Sequence, residues 1–197
     1  MTEEPISDAR AAAGRGEFES AIALLRPLAE TGNREAQYQL GFIALTECDL
    51  ISGREAFSLF REAAEQGHPE AMHHLATFLE FLSESFESPL SQEEAWSWLL
   101  RAAESGCFQA QYDAAASLAT GDWRERGVPQ DLGAAFAWYR RAAEAGHVEA
   151  QYNLASMLAE GEGCERDLAA AKEWLERAVV GGYKYAEGLI AHMDSLK

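Results

Sequence analysis

The chain is 197 residues long, 48% hydrophobic and 25% charged, with a net charge of −17 and a pI near 4.6. That composition belongs to a globular protein, not a disordered one. Its acidity argues against nucleic acid, which demands a cationic footprint, and against anionic membrane surfaces, leaving a basic protein partner or plain solubility as readings of the charge.

The first residues, Met1-Thr2-Glu3-Glu4-Pro5, are acidic and lack an apolar core, so no signal peptide is expected. Ile6 to Ala13 and Glu17 to Thr31 read as a helix pair around Gly14-Arg15-Gly16. Pro27 falls inside the second of these, where the missing N–H should kink it. From there one pattern recurs. A glycine is followed four residues later by an alanine that opens an apolar stretch: Gly32 and Ala36, Gly67 and Ala71, Gly106 and Ala110, Gly146 and Ala150, Gly182 and Ala186. Successive glycines are 35, 39, 40 and 36 residues apart, a period that marks a solenoid of repeats. Each unit of such an array contacts its neighbours, and no single central core forms.

Each unit divides into two helices. The first opens with Glu35-Ala36-Gln37-Tyr38, Glu70-Ala71-Met72-His73, Gln109-Ala110-Gln111-Tyr112 or Glu149-Ala150-Gln151-Tyr152. Small residues follow at one register (Gly41, Ala76, Ala115, Ala155) and permit close pairing with the next helix. The second helix shows one apolar face, as in Ala95-Trp98-Ala102, Ala135-Trp138-Ala142 and Ala171-Trp174-Ala178, with Ala56-Leu59-Ala63 before them. The glycine just beyond supplies the left-handed position that ends it. Arg61, Arg101, Arg141 and Arg177 fall in the final turns, where a cation offsets the negative end of the helix dipole. The intervening loops differ: Ser83 to Leu90, with Ser91 and Glu94 as a capping box; Gly121 to Asp131; and the short Gly161 to Asp167. Tyr185 to Leu196 reads as a terminal capping helix, giving six first and five second helices, eleven in all.

These residues resemble the Sel-one-like repeat family, a branch of the tetratricopeptide superfamily. The fourth unit carries the pattern most fully, in Ala150, Tyr152, Leu154, Gly161, Gly163, Asp167, Ala171, Trp174, Ala178 and Gly182. The third adds Gly127-Val128, Asp131, Ala135, Trp138 and Ala142-Ala143-Glu144-Ala145-Gly146. Ala115 and Ala155 stand where the family has glycine, and Leu79, Leu118 and Leu158 where it has an aromatic. The resemblance implies an all-α fold, a right-handed α-solenoid of antiparallel helix pairs with a concave groove. Residues 1–197 then form a single repeat domain: a tetratricopeptide-like pair over 5–32, four repeats over 33–182 and a capping helix over 183–197. It also implies an adaptor or scaffold in protein complexes, with no catalytic residues and no cofactor.

Carried over by position, the groove is lined by Tyr38 and Phe42, His73 and Thr77, Tyr112 and Ala116, and Tyr152 and Ser156. Three tyrosines and a histidine in one column suit a peptide, since each ring buries area and the hydroxyl offers a hydrogen bond. The competing expectation is that these rings pack between neighbouring helices as structure. Glu35, Glu70 and Glu149 would add negative charge and favour a basic protein or peptide. Trp123, in the longest loop, is a further candidate contact. His73 and His74 invite a metal reading, but adjacent helical residues point to different sides and are poor joint ligands. No nucleophile–base, paired-carboxylate or phosphate-loop constellation stands out, so no enzyme is expected. The cysteines Cys48, Cys107 and Cys164 are odd in number and suggest reduced thiols; with no apolar run near the ~20 residues of a membrane span, a cytoplasmic protein is expected, and a monomer is favoured. The alternative to an adaptor is an acidic inhibitor or immunity-type protein that neutralises a basic toxin or enzyme.

Overall fold

The computed structural model describes residues 3–46, 50–81, 92–121 and 128–195. Among these residues are eleven α-helices: α1 (Glu3–Gly14), α2 (Phe18–Glu30), α3 (Arg34–Thr46), α4 (Gly53–Glu65), α5 (Pro69–Phe81), α6 (Gln92–Glu104), α7 (Phe108–Thr120), α8 (Leu132–Glu144), α9 (Val148–Glu160), α10 (Leu168–Val180) and α11 (Ala186–Ser195). They fall into two compact units, Met1–Ser105 with α1 to α6 and Gly106–Lys197 with α7 to α11. Within each unit every helix packs on the next, and α1 also touches α3. Odd-numbered helices are the first members of each pair and even-numbered ones the second. None of the described helices is long and apolar enough to cross a membrane.

Glycine and alanine explain the pairing. The repeat glycines Gly32, Gly67, Gly106, Gly146 and Gly182 all have positive φ, between 83° and 96°, a conformation costly for any residue with a Cβ. In α4 this lets the Gly67 N–H reach the Ala64 carbonyl and the His68 N–H the Ala63 carbonyl, at 2.9 and 3.1 Å. That is a Schellman end, which satisfies carbonyls the helix would otherwise leave bare. The same two bonds close α1, α2, α8 and α10. The next residue then serves as N-cap: the Asn33 side chain accepts from the Ala36 N–H at 3.0 Å, and His68 and His147 do the same for Ala71 and Ala150 at 3.3 Å. Pro69 follows His68 at the first helical position, where a missing N–H costs nothing.

The core is a seam of small and large residues. Ala36, Ala71, Ala110 and Ala150 in the first helices, and Ala63, Ala102, Ala142 and Ala178 in the second, are fully buried. Phe60, Leu99, Tyr139 and Leu175 fill one register of the second helices at 5% exposure or less. Burying each contributes about 1.5–3 kcal/mol. Where the large residue is Phe60, the small one shrinks to Gly41, whose added Cβ would lie 2.9 Å from the Phe60 ring.

α2 carries Pro27 within its last turn and runs on to Glu30, as the sequence predicts. One expectation changes in detail. The arginine column splits: Arg101, Arg141 and Arg177 lie in last turns with their guanidinium groups 4.0, 4.6 and 4.4 Å from the Trp98, Trp138 and Trp174 rings. Such cation–π contacts are worth about 0.5–1 kcal/mol at exposed sites. Arg61 is one residue out of register and pairs with Glu65 at 3.1 Å, while Glu62 holds the equivalent position. The capping box of Ser91 lies outside the described residues.

The short loop between α9 and α10 rests on the start of α8. Gly163 has φ 69°, and a Cβ there would sit 2.1 Å from the Leu132 carbonyl oxygen. Gly163→Ala should therefore lower stability by at least about 2 kcal/mol. Gly133→Ala, whose Cβ would meet nothing closer than 3.5 Å, should change it by less than about 1 kcal/mol. Chemical denaturation of both variants decides; equal midpoints would refute the close approach.

Candidate partner-binding surface

The site residues read from the sequence sit at two registers of α3, α5, α7 and α9. Tyr38, His73, Tyr112 and Tyr152 occupy one, Phe42, Thr77, Ala116 and Ser156 the other, one turn on. All are half-buried except Phe42, which is 42% exposed. Trp123 lies outside the described residues.

In the first unit the Tyr38 ring stacks on His68 at 4.4 Å between centroids and lies 6.2 Å from Phe42. His68 is buried, so its two nitrogens need partners. Its Nδ1 accepts from the Ala71 N–H, which leaves the proton on Nε2, and Nε2 is 3.1 Å from Glu35 Oε2. Glu35 also accepts from Gln39 at 2.9 Å and from Arg10 of α1. Burial pushes its carboxyl up, but the bonds from Gln39, Arg10 and His68 outweigh that and hold it below the usual carboxylate range.

The second unit repeats the device. Tyr112 stacks on His147 at 4.4 Å with the rings 9° from parallel, and meets Tyr139 edge-on at 5.8 Å. His147 Nδ1 accepts from the Ala150 N–H, and Nε2 faces Gln109 Oε1 at 3.2 Å, so Gln109 takes the part Glu35 plays in the first unit. Burial pushes the His147 pKa down, against the opposing pull of Glu149 and Asp113. Burial also pushes Tyr139 up to about 12. Tyr152 packs on Tyr183 at 5.0 Å, with Tyr183 in the place of the histidines.

Tyr38 and Tyr112 therefore each have one face committed to the residue that caps α5 or α9. Thr77 donates its hydroxyl to the His73 carbonyl at 3.1 Å, so that side chain is turned onto its own backbone. His74 stacks on Phe60 at 5.0 Å and lies within 6 Å of Phe42, Tyr38 and His73. Among the described residues no group of three or more His, Cys, Asp or Glu side chains could hold a metal ion. Sequence reading missed the stacking role of His68 and His147. The available signal was their shared place directly after Gly67 and Gly146.

Helix pairs of near-constant length, joined through a glycine that caps one helix and starts the next, define an α-solenoid of repeats. The Sel1 repeat pattern matches residues 34–68, 69–107, 109–147 and 148–179, and the chain belongs to that family. It is similar to a solved Sel1 repeat protein from Oxalobacter formigenes, with 30% identity and a TM-score of 0.79 over 89% of this chain and 49% of that one. It also resembles c5321, a protective antigen of uropathogenic Escherichia coli with an SLR fold, at 24% identity and a TM-score of 0.82, covering 100% of this chain and 42% of that one. A putative Sel1 repeat protein from Klebsiella pneumoniae shares 18% identity at a TM-score of 0.58, over 98% and 93% of the two chains. This chain thus spans less than half the length of the first two. No curated protein gave a significant match.

The histidines make stability depend on pH. Burial first, then the charges of His73 and His68, push His74 down to about 4 from an ordinary 6.5. The unfolded chain takes up that proton as pH falls through 6.5, whereas the folded chain resists until about 4, so stability is lost across that window. His147 acts in the same direction. Urea midpoints should fall from about pH 7 to about pH 5, and His74→Phe should flatten the fall without abolishing it. An unchanged slope in the variant would show that His74 does not titrate this way.

Proposed function

We propose that this chain is a non-catalytic scaffold that holds a segment of a partner protein against the aromatic residues on the first helices of its repeats. Sel1 repeats mediate protein–protein interaction. The observation that carries the finer reading is the placement of Tyr38, Tyr112 and Tyr152 at one register of their helices, the first two stacked on a histidine and the third tilted against Tyr183, each with part of the side chain still accessible. A ring already fixed by stacking loses little rotamer freedom when a partner covers its other side. The acidic residues at the start of these helices, Glu35, Glu70 and Glu149, favour a partner with basic residues in the segment.

Truncating Tyr112 and Tyr152 together tests this, provided stability is followed beside binding, because Tyr112 also supports His147. Tyr112→Ala/Tyr152→Ala should lower affinity for a captured partner by at least about tenfold. Tyr112→Phe/Tyr152→Phe, which keeps the ring contacts, should retain the fold and isolate the contribution of the hydroxyls. The capture is washed at low and high salt. A folded alanine variant that binds as well as wild type, or a partner indifferent to the tyrosines and released by salt alone, would sink this surface as the binding site.

A further inference from the structure

A second recognition feature lies away from those aromatic residues, in a pocket of about 370 Å³ between α2 and α4, over α3. Its apolar lining comes from Ala29, Leu40 and Leu59, and the carboxylates of Glu30, Glu55 and Glu62 line it beside them. Arg26 pairs with Glu55 at 2.7 Å, so three carboxylates face one guanidinium. The floor is internally satisfied. Gln37, 3% exposed, donates to Glu62 at 2.8 Å and to the Ala29 carbonyl at 3.3 Å, and accepts from Gln66 at 2.7 Å. Glu62 takes a further bond from Ser58 at 3.2 Å. These neutral donors hold its carboxylate in place and leave acceptor capacity for an incoming cation.

The repeat itself points to what the pocket takes. Leu59 and Glu62 stand at the register of Trp98 and Arg101, Trp138 and Arg141, and Trp174 and Arg177. In those three helices the chain supplies its own filling, an indole with a guanidinium laid over it at 4.0 to 4.6 Å. In α4 the bulk of the indole is absent and the charge is inverted. What remains is an apolar slot edged with carboxylates, where the other helices carry a planar cation on an apolar body.

We propose that this pocket receives an arginine side chain from a partner protein. Its stem would lie along Leu59 and Leu40, and its guanidinium would bridge Glu30 and Glu62. Arginine suits the site better than lysine, because a planar fork can engage two carboxylates at once while its weakly hydrated face rests on apolar surface. The net charge of −17 draws such a partner from a distance.

The probe is N-acetyl-arginine amide, titrated into the full chain with amide chemical shifts as the readout. Shifts should concentrate at Glu30, Glu55 and Glu62 and saturate in the millimolar range expected of so small a ligand. The neutral citrulline analogue should not produce them, and the lysine analogue should bind several-fold more weakly. Leu59→Trp/Glu62→Arg, which installs the pair used by the other helices, should keep or raise the melting temperature and abolish the shifts. Glu30→Gln, an exposed change that leaves the fold alone, should weaken binding at least about threefold. No localised shifts, equal binding of citrulline or lysine, or undiminished binding to the filled variant would each overturn the assignment. Those aromatic residues are untouched by these variants, so this proposal can fail while that one stands.

Discussion

The structure depends on a two-residue turn. A glycine with positive φ ends one helix, and the residue after it both completes that ending and caps the helix that follows. At Gly67-His68 the backbone N–H of His68 reaches back to Ala63, its carbonyl accepts the first bond of α5 from Met72, and its side chain caps Ala71. One residue thus meets three demands that separate loops usually share. The turn is then set by local backbone geometry, and a change in the loop inside a pair leaves it intact. The intervals of 35 to 40 residues between glycines absorb their variation within the pair, where lengths differ, and not at the turn.

The turn also fixes the chemistry of the surface. The side chain after the glycine is held against the tyrosine one pair earlier, His68 against Tyr38 and His147 against Tyr112. With Nδ1 occupied by the cap, the ring must present an Nε2 donor, and an acceptor follows in each case: Glu35 in one unit, Gln109 in the other. Exchange of a carboxylate for an amide preserves the bond and removes the charge. Two repeats can therefore keep one local geometry and differ in electrostatics, and so differ in what they offer a cationic side chain.

Much of this was legible in the amino-acid order. Glycine spacing and buried alanines mark the helices because they answer to local backbone and packing rules, and the helix boundaries follow within a few residues. Asp131 and Asp167 cap α8 and α10 through their side chains, a local role open to sequence reading because aspartate is a favoured N-cap. The side-chain partnerships across repeats were not legible. His68 and Tyr38 are 30 positions apart in the chain, and nothing in either segment alone says that the rings stack. The arginine column misled for a related reason: Arg61 and Arg101 both lie near a helix end, but they differ by one residue in register, about 100° around the axis. A one-residue offset separates an i,i+4 ion pair with Glu65 from a guanidinium lying on Trp98.

That offset carries the contrast between the helices of a repeat array. A tryptophan three residues before an arginine fills and covers its own register, so the surface there is closed by the chain itself. Leucine three residues before glutamate leaves the space open and reverses its charge, while Gln37, Gln66 and Ser58 hold the carboxylate so that it does not collapse into the gap. Repetition makes such a departure interpretable. Three copies define what the position needs, bulk and a cation, and the fourth lacks both while its surrounding polar groups stay hydrogen-bonded. In a protein built from one motif, recognition is expected where a unit stops satisfying itself, because there the missing groups must come from another molecule or the surface stays under-packed.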